Sequence, residues 1–156
     1  MRIASFIFAI LLSGSFGKGE RVHHFSSIVY GQILPGPNAS TYETIFTVTA
    51  KQSTPASVDL FNEKGQPMQA SFVDESGAET SIDSTLRFVL VAGQPLRIKL
   101  RLPSPDSKED VAVETGWANF RSLEDLDVWA QVRVAKLDGT LIETVIFFPE
   151  RAPIGD

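Results

Sequence analysis

The chain has 156 residues, a formal net charge of -5 at pH 7 and no cysteine. That length suits a single domain. The missing cysteine excludes disulfides, thiolate nucleophiles and cysteine-based metal sites. The acidic balance argues against a nucleic-acid partner, because nucleic-acid binding depends on an excess of Lys and Arg.

The first residues have the layout of a secretory signal peptide. Arg2 and the terminal amine precede an apolar run from Ile3 to Leu12, and small residues follow. This order predicts a signal peptide over residues 1–17, cleaved after Ser15 or Gly17, and hence an exported protein: secreted, periplasmic or on the cell surface. A first core strand is the alternative interpretation of this run. The run is shorter than the about 20 residues that cross a bilayer, so no integral membrane segment is expected in the mature chain.

Short runs of strand-forming residues alternate with turn residues in the rest of the chain. The run from Thr41 to Ala50 is rich in Thr and in β-branched and aromatic residues, which suit a half-buried sheet. Residues 56–72 have the pattern of a hairpin with a turn over Asn62 to Gly65, where glycine supplies a positive φ. Two further strands are expected on either side of a break at residues 92–95.

The second of those strands has a two-residue alternation of apolar and cationic side chains. Its residues are Leu96, Arg97, Ile98, Lys99, Leu100, Arg101 and Leu102. A period of two predicts that the apolar residues are buried and that the cations lie on the solvent face. Three such cations could hold a polyanion such as an acidic glycan. The favoured interpretation is a solvent-facing strand whose cations pair with acidic residues and discourage edge-to-edge aggregation.

The last part of the chain predicts a closing hairpin, after two polar loops at residues 103–110 and 121–127. Asp138-Gly139 is the strongest two-residue turn signal in the sequence. Pairing directly across this turn sets Glu143 opposite Val134, on a face that is otherwise apolar. We therefore expect a bulge or a different loop length in this hairpin.

The predicted fold is all-β: an immunoglobulin-like antiparallel β-sandwich of eight or nine short strands. The strands recur at intervals of about 8–14 residues, with turn signals and no helical period, which is typical of sandwiches and barrels. The sandwich domain should span residues 20–149. Residues 150–156 contain prolines and are expected to form a flexible tail.

Residues for catalysis are sparse in this sequence. The two histidines, His23 and His24, are adjacent, and neighbours on a strand point to opposite faces, so they should not converge on one substrate or metal ion. Paired carboxylates of the kind used by glycosidases remain an alternative, with candidates Glu114, Asp127 and Glu143. Loop carboxylates at residues 106–110 and 124–127 lack the spacing of a known calcium loop. We expect no enzyme activity, no catalytic residue, no metal site and no cofactor.

The two tryptophans of the chain lie in strands with polar partners. Trp117 shares a strand face with Asn119 and Arg121, and the pattern repeats for Trp129, Gln131 and Arg133. The opposite faces carry small and branched residues, which suit the core. The speculative ligand-binding residues are therefore Trp117, Arg121, Trp129 and Arg133. The alternative is that one indole fills the interior or covers the edge of a sheet.

Several short motifs together resemble a β-sandwich module of exported bacterial proteins. They are HHFSSIVYGQ, ETIFTVTA, ASVDLFNEKGQPM, FVLVAGQPLRI, GWANFRS and VWAQVRV. The stretches KQSTPAS and GQILPGPNAS depart from the usual pattern of that module, which has an Asn after the Thr-rich strand and a Gly-rich loop after the first strand. The resemblance implies an immunoglobulin-like fold outside the cytoplasm, with no catalytic residues to carry over. It also implies architectural roles for Gly116 and Trp117.

The expected function is that of a non-catalytic exported module with a structural or protein-interaction role at the cell envelope or outside the cell. Its partner would be a protein or a glycan, of unknown identity, and not a nucleic acid. One alternative is a carbohydrate-binding module that uses an exposed tryptophan. The other is a hydrolase that uses paired carboxylates.

Overall fold

The computed structural model describes residues 19–33, 39–103 and 111–150, and these residues form ten strands and no helix. The predicted signal peptide and most of the predicted tail lie outside this range. The strands are β1 (Arg21–Ile33), β2 (Ser40–Ala50), β3 (Thr54–Asn62), β4 (Ala70–Val73), β5 (Glu79–Asp83), β6 (Thr85–Leu90), β7 (Leu96–Arg101), β8 (Val111–Ser122), β9 (Leu126–Lys136) and β10 (Leu141–Phe147). The described residues contain no helix long and apolar enough to cross a membrane.

All strand pairs are antiparallel, and together they form one strongly curved, nearly barrel-shaped sheet. The order is β5-β4-β7-β2-β1-β8-β3-β6, while β9 pairs with β2 and β10 pairs with β9. Strand β2 pairs with three other strands of the sheet. It pairs first with β1 and then with β7, and it also pairs with β9 along its whole length. The all-β, antiparallel part of the predicted fold is confirmed.

The predicted hairpin after β3 forms only next to its turn, where Phe61 bridges Pro67 and the amide of Met68 donates to the carbonyl of Leu60. The amide of Gly65 donates to the carbonyl of Asn62, which closes the turn. Strand β4 then leaves β3 and pairs with β5 and β7 instead. A turn depends on local residues, whereas the choice of partner strand depends on long-range packing, which is why only the turn could be predicted.

The closing hairpin contains the predicted bulge. The amide of Gly139 donates to the carbonyl of Lys136, which makes the loop longer than two residues. A register shift between Leu141 and Glu143 then restores the pairing of Glu143 with Val134. Glu143 thus still faces Val134, and the structure tolerates this pair because Glu143 is exposed.

The interior is filled by aromatic and aliphatic side chains from nearly every strand. Phe46 packs edge to face against Phe25 and Phe120, with ring centroids 5.3 and 4.8 Å apart. Such geometry is favourable beyond the burial of area alone. Ile98 and Leu100 of β7 are buried, as the alternation predicted, and Arg97 and Arg101 are exposed.

Gly116 allows β8 to approach β3 unusually closely. A Cβ atom at this position would lie 1.9 Å from the carbonyl oxygen of Phe61, far inside van der Waals contact. In register, Gly116 lies opposite Ile28, next to a bulge in β1 that follows Phe25. The close approach supports the architectural role that the resemblance implies for this glycine.

Candidate functional site

Trp117 lies on the outer face of β8, as predicted, and is covered on both sides. Phe61 of β3 stacks on the indole, with ring centroids 4.1 Å apart and planes inclined by 19°. His24 of β1 lies on the other flank, at 5.4 Å. Because β1 and β3 border β8 on opposite edges, these rings leave little of the indole face for a ligand to stack on.

Arg121, four residues along the same strand, is held by carboxylates. Its Nε lies 3.0 Å from Asp59 and its Nη1 lies 3.5 Å from Glu20. Asp59 also accepts a hydrogen bond from Thr85. Because two carboxylates balance its charge, the Arg121 guanidinium is suited to linking β8, β3 and the start of β1 rather than to binding an anion.

Trp129 and Arg133 lie on the outer face of β9, in a different part of the sheet. Trp129 is half-buried and faces Thr47 of β2, whose other neighbour is Arg97 of β7. Arg133 faces Glu43 of β2. Strands β8 and β9 do not pair. The structure therefore divides the four speculative residues into two separate pairs instead of one site.

The two histidines point to opposite faces, as predicted. His23 pairs with Phe120 on the inner face, and His24 pairs with Asn119 on the outer face. Burial lowers the pKa of His23, and Asp125, 3.9 Å away, acts against that shift. His24 Nδ1 lies 2.8 Å from the side-chain oxygen of Asn119. Within the described residues no group of three or more metal-ligating side chains is found.

The carboxylates singled out in the sequence are spread over the sheet. Glu143 faces Val134 of β9, and Asp127 precedes Val134 by seven positions, about 23 Å along an extended strand. Glu114 lies on β8, opposite Tyr30 of β1. None of Asp127, Glu143 and Glu114 lines the concavity that lies between the end of β1, the start of β2 and strands β4, β5 and β7.

A concavity of about 390 Å³ lies between the end of β1, the start of β2 and strands β4, β5 and β7. Its wall contains two carboxylates, Glu43 and Glu79, and one guanidinium, that of Arg101. Tyr42 and Leu102 are also among the lining residues. The volume is within the usual range for small-molecule sites, about 300–1,000 Å³.

Glu43 organises the cations beside this concavity. Its Oε1 accepts a hydrogen bond from Arg101 Nε at 3.2 Å and lies 3.7 Å from Lys99 Nζ. On the opposite wall, Glu79 accepts a hydrogen bond from the hydroxyl of Ser71. The charged side chains are thus held in fixed positions by partners from neighbouring strands.

Sequence reasoning missed Tyr42, Glu43 and Glu79 as site residues. They come from separate runs of the chain, and the β2–β7 and β4–β5 pairings bring them together. The one available signal was the cation row, which contains Arg101. The pairing of Arg101 with Glu43 depends on a strand register that the sequence pattern alone does not specify.

Strand β10 is the least buried strand of the structure. Its side chains are exposed on both faces, except for Phe147, which packs against the core. The exposed apolar residues of this segment are Leu141, Ile142, Val145, Ile146 and Phe148, which are between 39% and 74% exposed. Only one edge of β10 is paired within the described residues, and it is paired with β9.

Comparison with known proteins gives no match: no family model, curated protein or solved structure is significantly similar to this chain. The function is therefore inferred from the exposed side chains, contacts and strand edges of the structure.

Proposed function

We propose that this protein is a non-catalytic, exported interaction module with an immunoglobulin-like strand arrangement, which associates with a second copy of itself through strand β10. The observation that supports this function most strongly is the exposed apolar edge that β10 presents. Exposed apolar side chains clustered on one strand in this way commonly mark a protein-interaction surface.

Free strand edges are normally protected in monomeric proteins. Lys, Pro or inward-pointing charges prevent the unpaired backbone groups from pairing with another strand. Strand β10 has the sequence LIETVIF, with Glu143 as its only charge and with neither Lys nor Pro. This composition favours the addition of a strand to the edge.

A second copy of β10 matches the edge well. In an antiparallel pair centred on Thr144, Ile142 would face Ile146 of the second copy, and Glu143 would face Val145 of that copy. Paired residues in antiparallel strands share one face, so the apolar pairs contact each other directly. The single charge of each strand meets no like charge directly opposite.

The size of this contact predicts a weak dimer. A seven-residue strand is about 24 Å long. An interface of that length falls at the lower end of specific interfaces, about 1,000 Å² in total. We therefore expect a dissociation constant on the order of 10–100 µM.

Sedimentation velocity tests this function directly. The wild-type protein, from about 5 to about 500 µM, should shift from monomer to dimer. Ile146→Lys should weaken the dimer at least about tenfold, because it places a charge opposite Ile142 of the second copy. Val91→Lys is the matched control, since Val91 is exposed to a similar degree, 50%, but lies outside β10.

Circular dichroism should show that both variants keep the fold, because both positions are exposed. A wild-type protein that stays monomeric over the whole range would overturn the proposal. So would an equal effect of the two substitutions, since it would place the contact elsewhere.

A further inference from the structure

We propose that Glu143 makes the β10 dimer sensitive to acid. The two Glu143 carboxylates of a dimer repel each other at neutral pH, and the dimer becomes tighter when they are protonated. This inference rests on the proposed function, because it concerns the same strand edge. It adds the regulation of that contact and the residue that controls it.

Glu143 is the only charged residue of β10, and it is exposed. It lies opposite Val134 of β9, on the face of the sheet that also carries Val132 and Val145. The other residues of the strand are Leu, Ile, Thr, Val and Phe, so nothing on β10 itself compensates this charge. The electrostatics of the edge therefore depend on one side chain.

The neighbouring strand gives Glu143 no ion pair. Strand β9 is the one strand that packs along β10 in the described part of the chain. Its charged residue on the same face is Lys136, and Arg133 lies on the opposite face. Lys136 lies near Asp138, whose pKa is lowered by hydrogen bonds from Thr140 and then by this cation. Among the described residues, no cationic nitrogen lies within 4.0 Å of the Glu143 carboxylate.

Association brings two copies of Glu143 close together. In the antiparallel pair centred on Thr144, each Glu143 lies directly opposite Val145 of the second copy. The two glutamates lie on the same face as diagonal neighbours, on either side of the two-fold axis. Diagonal neighbours in an antiparallel pair are about 7–8 Å apart. A free subunit has no such second carboxylate at its edge, so the repulsion arises only in the dimer.

The size of this repulsion is moderate, because both carboxylates remain near solvent. Two like charges about 8 Å apart at a wet protein surface should weaken association about three- to tenfold. Protonation removes the repulsion, so the dimer takes up protons more readily than two free subunits do. By proton linkage, the dimer therefore becomes more stable as the pH falls. Salt acts in the same direction, because it screens exposed charges.

Sedimentation velocity of the wild-type protein and of Glu143→Gln tests this inference. At about pH 7.5, we expect Glu143→Gln to dimerise about three- to tenfold more tightly than the wild type. The wild type should approach the variant as the pH falls to about 4, a range in which Glu carboxylates take up protons. The dissociation constant of Glu143→Gln should change much less over this range.

Glu75→Gln is the matched control. Glu75 is exposed and lies in the turn after β4, so this variant loses the same charge outside β10. It should dimerise like the wild type at every pH. This control separates the effect of Glu143 from the general tendency of an acidic protein to associate as its net charge falls.

A charge-reversed variant gives a second test at constant pH. In a mixture of the wild type and Glu143→Lys, the two diagonal side chains carry opposite charges. The mixed dimer should therefore be tighter than either homodimer, and about 0.5 M NaCl should reduce this preference. Circular dichroism should show that the variants keep the fold, because position 143 is exposed.

The inference is overturned if Glu143→Gln dimerises no more tightly than Glu75→Gln at neutral pH, or if the mixed dimer is not preferred. Both of these results leave the β10 dimer in place. A protein that stays monomeric under all these conditions overturns the inference together with the proposed function. The two failures are therefore distinguishable.

Discussion

Tyr30 shows how a single buried side chain links stability to pH. Its ring is fully buried, and its hydroxyl donates to the carbonyl oxygen of Gln69 at 2.6 Å. Burial, followed by the nearby charge of Glu114, raises the pKa of Tyr30 above its ordinary value of 10.0. The folded protein therefore holds the phenolic proton more tightly than the unfolded chain does.

The sign of the resulting pH dependence follows from proton linkage. The contribution of Tyr30 to the free energy of unfolding is complete below pH 10 and is lost as the pH rises toward the higher pKa of the folded state. We expect the free energy of unfolding to fall above pH 10 by up to about 1.4 kcal/mol per pH unit.

In Tyr30→Phe this alkaline fall should be absent. The free energy of unfolding of this variant should also be about 1 kcal/mol lower at neutral pH, because the hydrogen bond to Gln69 is lost. Urea unfolding between about pH 8 and pH 11.5 measures both effects. Tyr42→Phe is the control and should keep the alkaline fall. An identical slope in wild type and Tyr30→Phe would assign the titration to another group.

The histidines and tryptophans show what strand alternation can predict for individual residues. Alternation correctly placed His23 and His24 on opposite faces, and it placed Trp117 and Trp129 on outer faces. It could not show that Phe61 and His24 cover Trp117, because those residues come from strands β3 and β1. Neighbours across strands depend on register, which a single strand does not encode.

At the scale of elements, Thr44 maintains hydrogen bonding where β2 changes partner from β1 to β7. Its hydroxyl oxygen accepts from the amide of Val29 at 3.0 Å, and its O–H donates to the Val29 carbonyl at 2.7 Å. The side chain thus replaces two ladder hydrogen bonds of β1 in a fully buried position. Without it, both backbone groups would be left unpaired, which is costly.

Thr44→Val should therefore lower the free energy of unfolding by about 2–4 kcal/mol, since it leaves two buried backbone groups without partners. Thr47→Val, the same change on the same strand, is the matched control. The hydroxyl oxygen of Thr47 is buried and has no hydrogen-bond partner in the part of the chain that the structure describes. Its replacement should be neutral within about 0.5 kcal/mol or stabilising. Chemical denaturation of both variants measures the difference, and equal losses would contradict this role of Thr44.

Turns were more predictable than strand partners. The turns at residues 62–65 and 138–139 form where Asn, Asp and Gly predicted them, and the side chain of Asn62 accepts amide hydrogen bonds from Lys64 and Gln66. These interactions span at most four residues. In contrast, β4 follows β3 in the chain and yet pairs with β5 and β7, because the burial of all four of its residues depends on the whole sheet.

At the scale of the whole molecule, the proposed export can be tested directly. We expect expression of residues 1–156 in a bacterial host to place the protein outside the cytoplasm, with the signal peptide removed after Ser15 or Gly17. Mass spectrometry of the intact product should give an N-terminus at Phe16 or Lys18. A product that keeps Met1 and stays in the cytoplasm would contradict the proposed compartment. A variant with Ile7→Asp, which interrupts the apolar run, should not be exported.

The all-β class, the inner and outer faces of β7, β8 and β9, two turns and the bulge of the last hairpin could be predicted from the sequence alone. These properties follow from local periodicity and from the conformational preferences of Gly, Asn and Asp. The choice of strand partners, the enclosure of Trp117 and the position of the concavity depend on the tertiary structure, and so does the edge of β10 that has no partner among the described residues. The physical reason is that each of these depends on contacts between residues far apart in the chain, whose register is selected by the packing of the complete core.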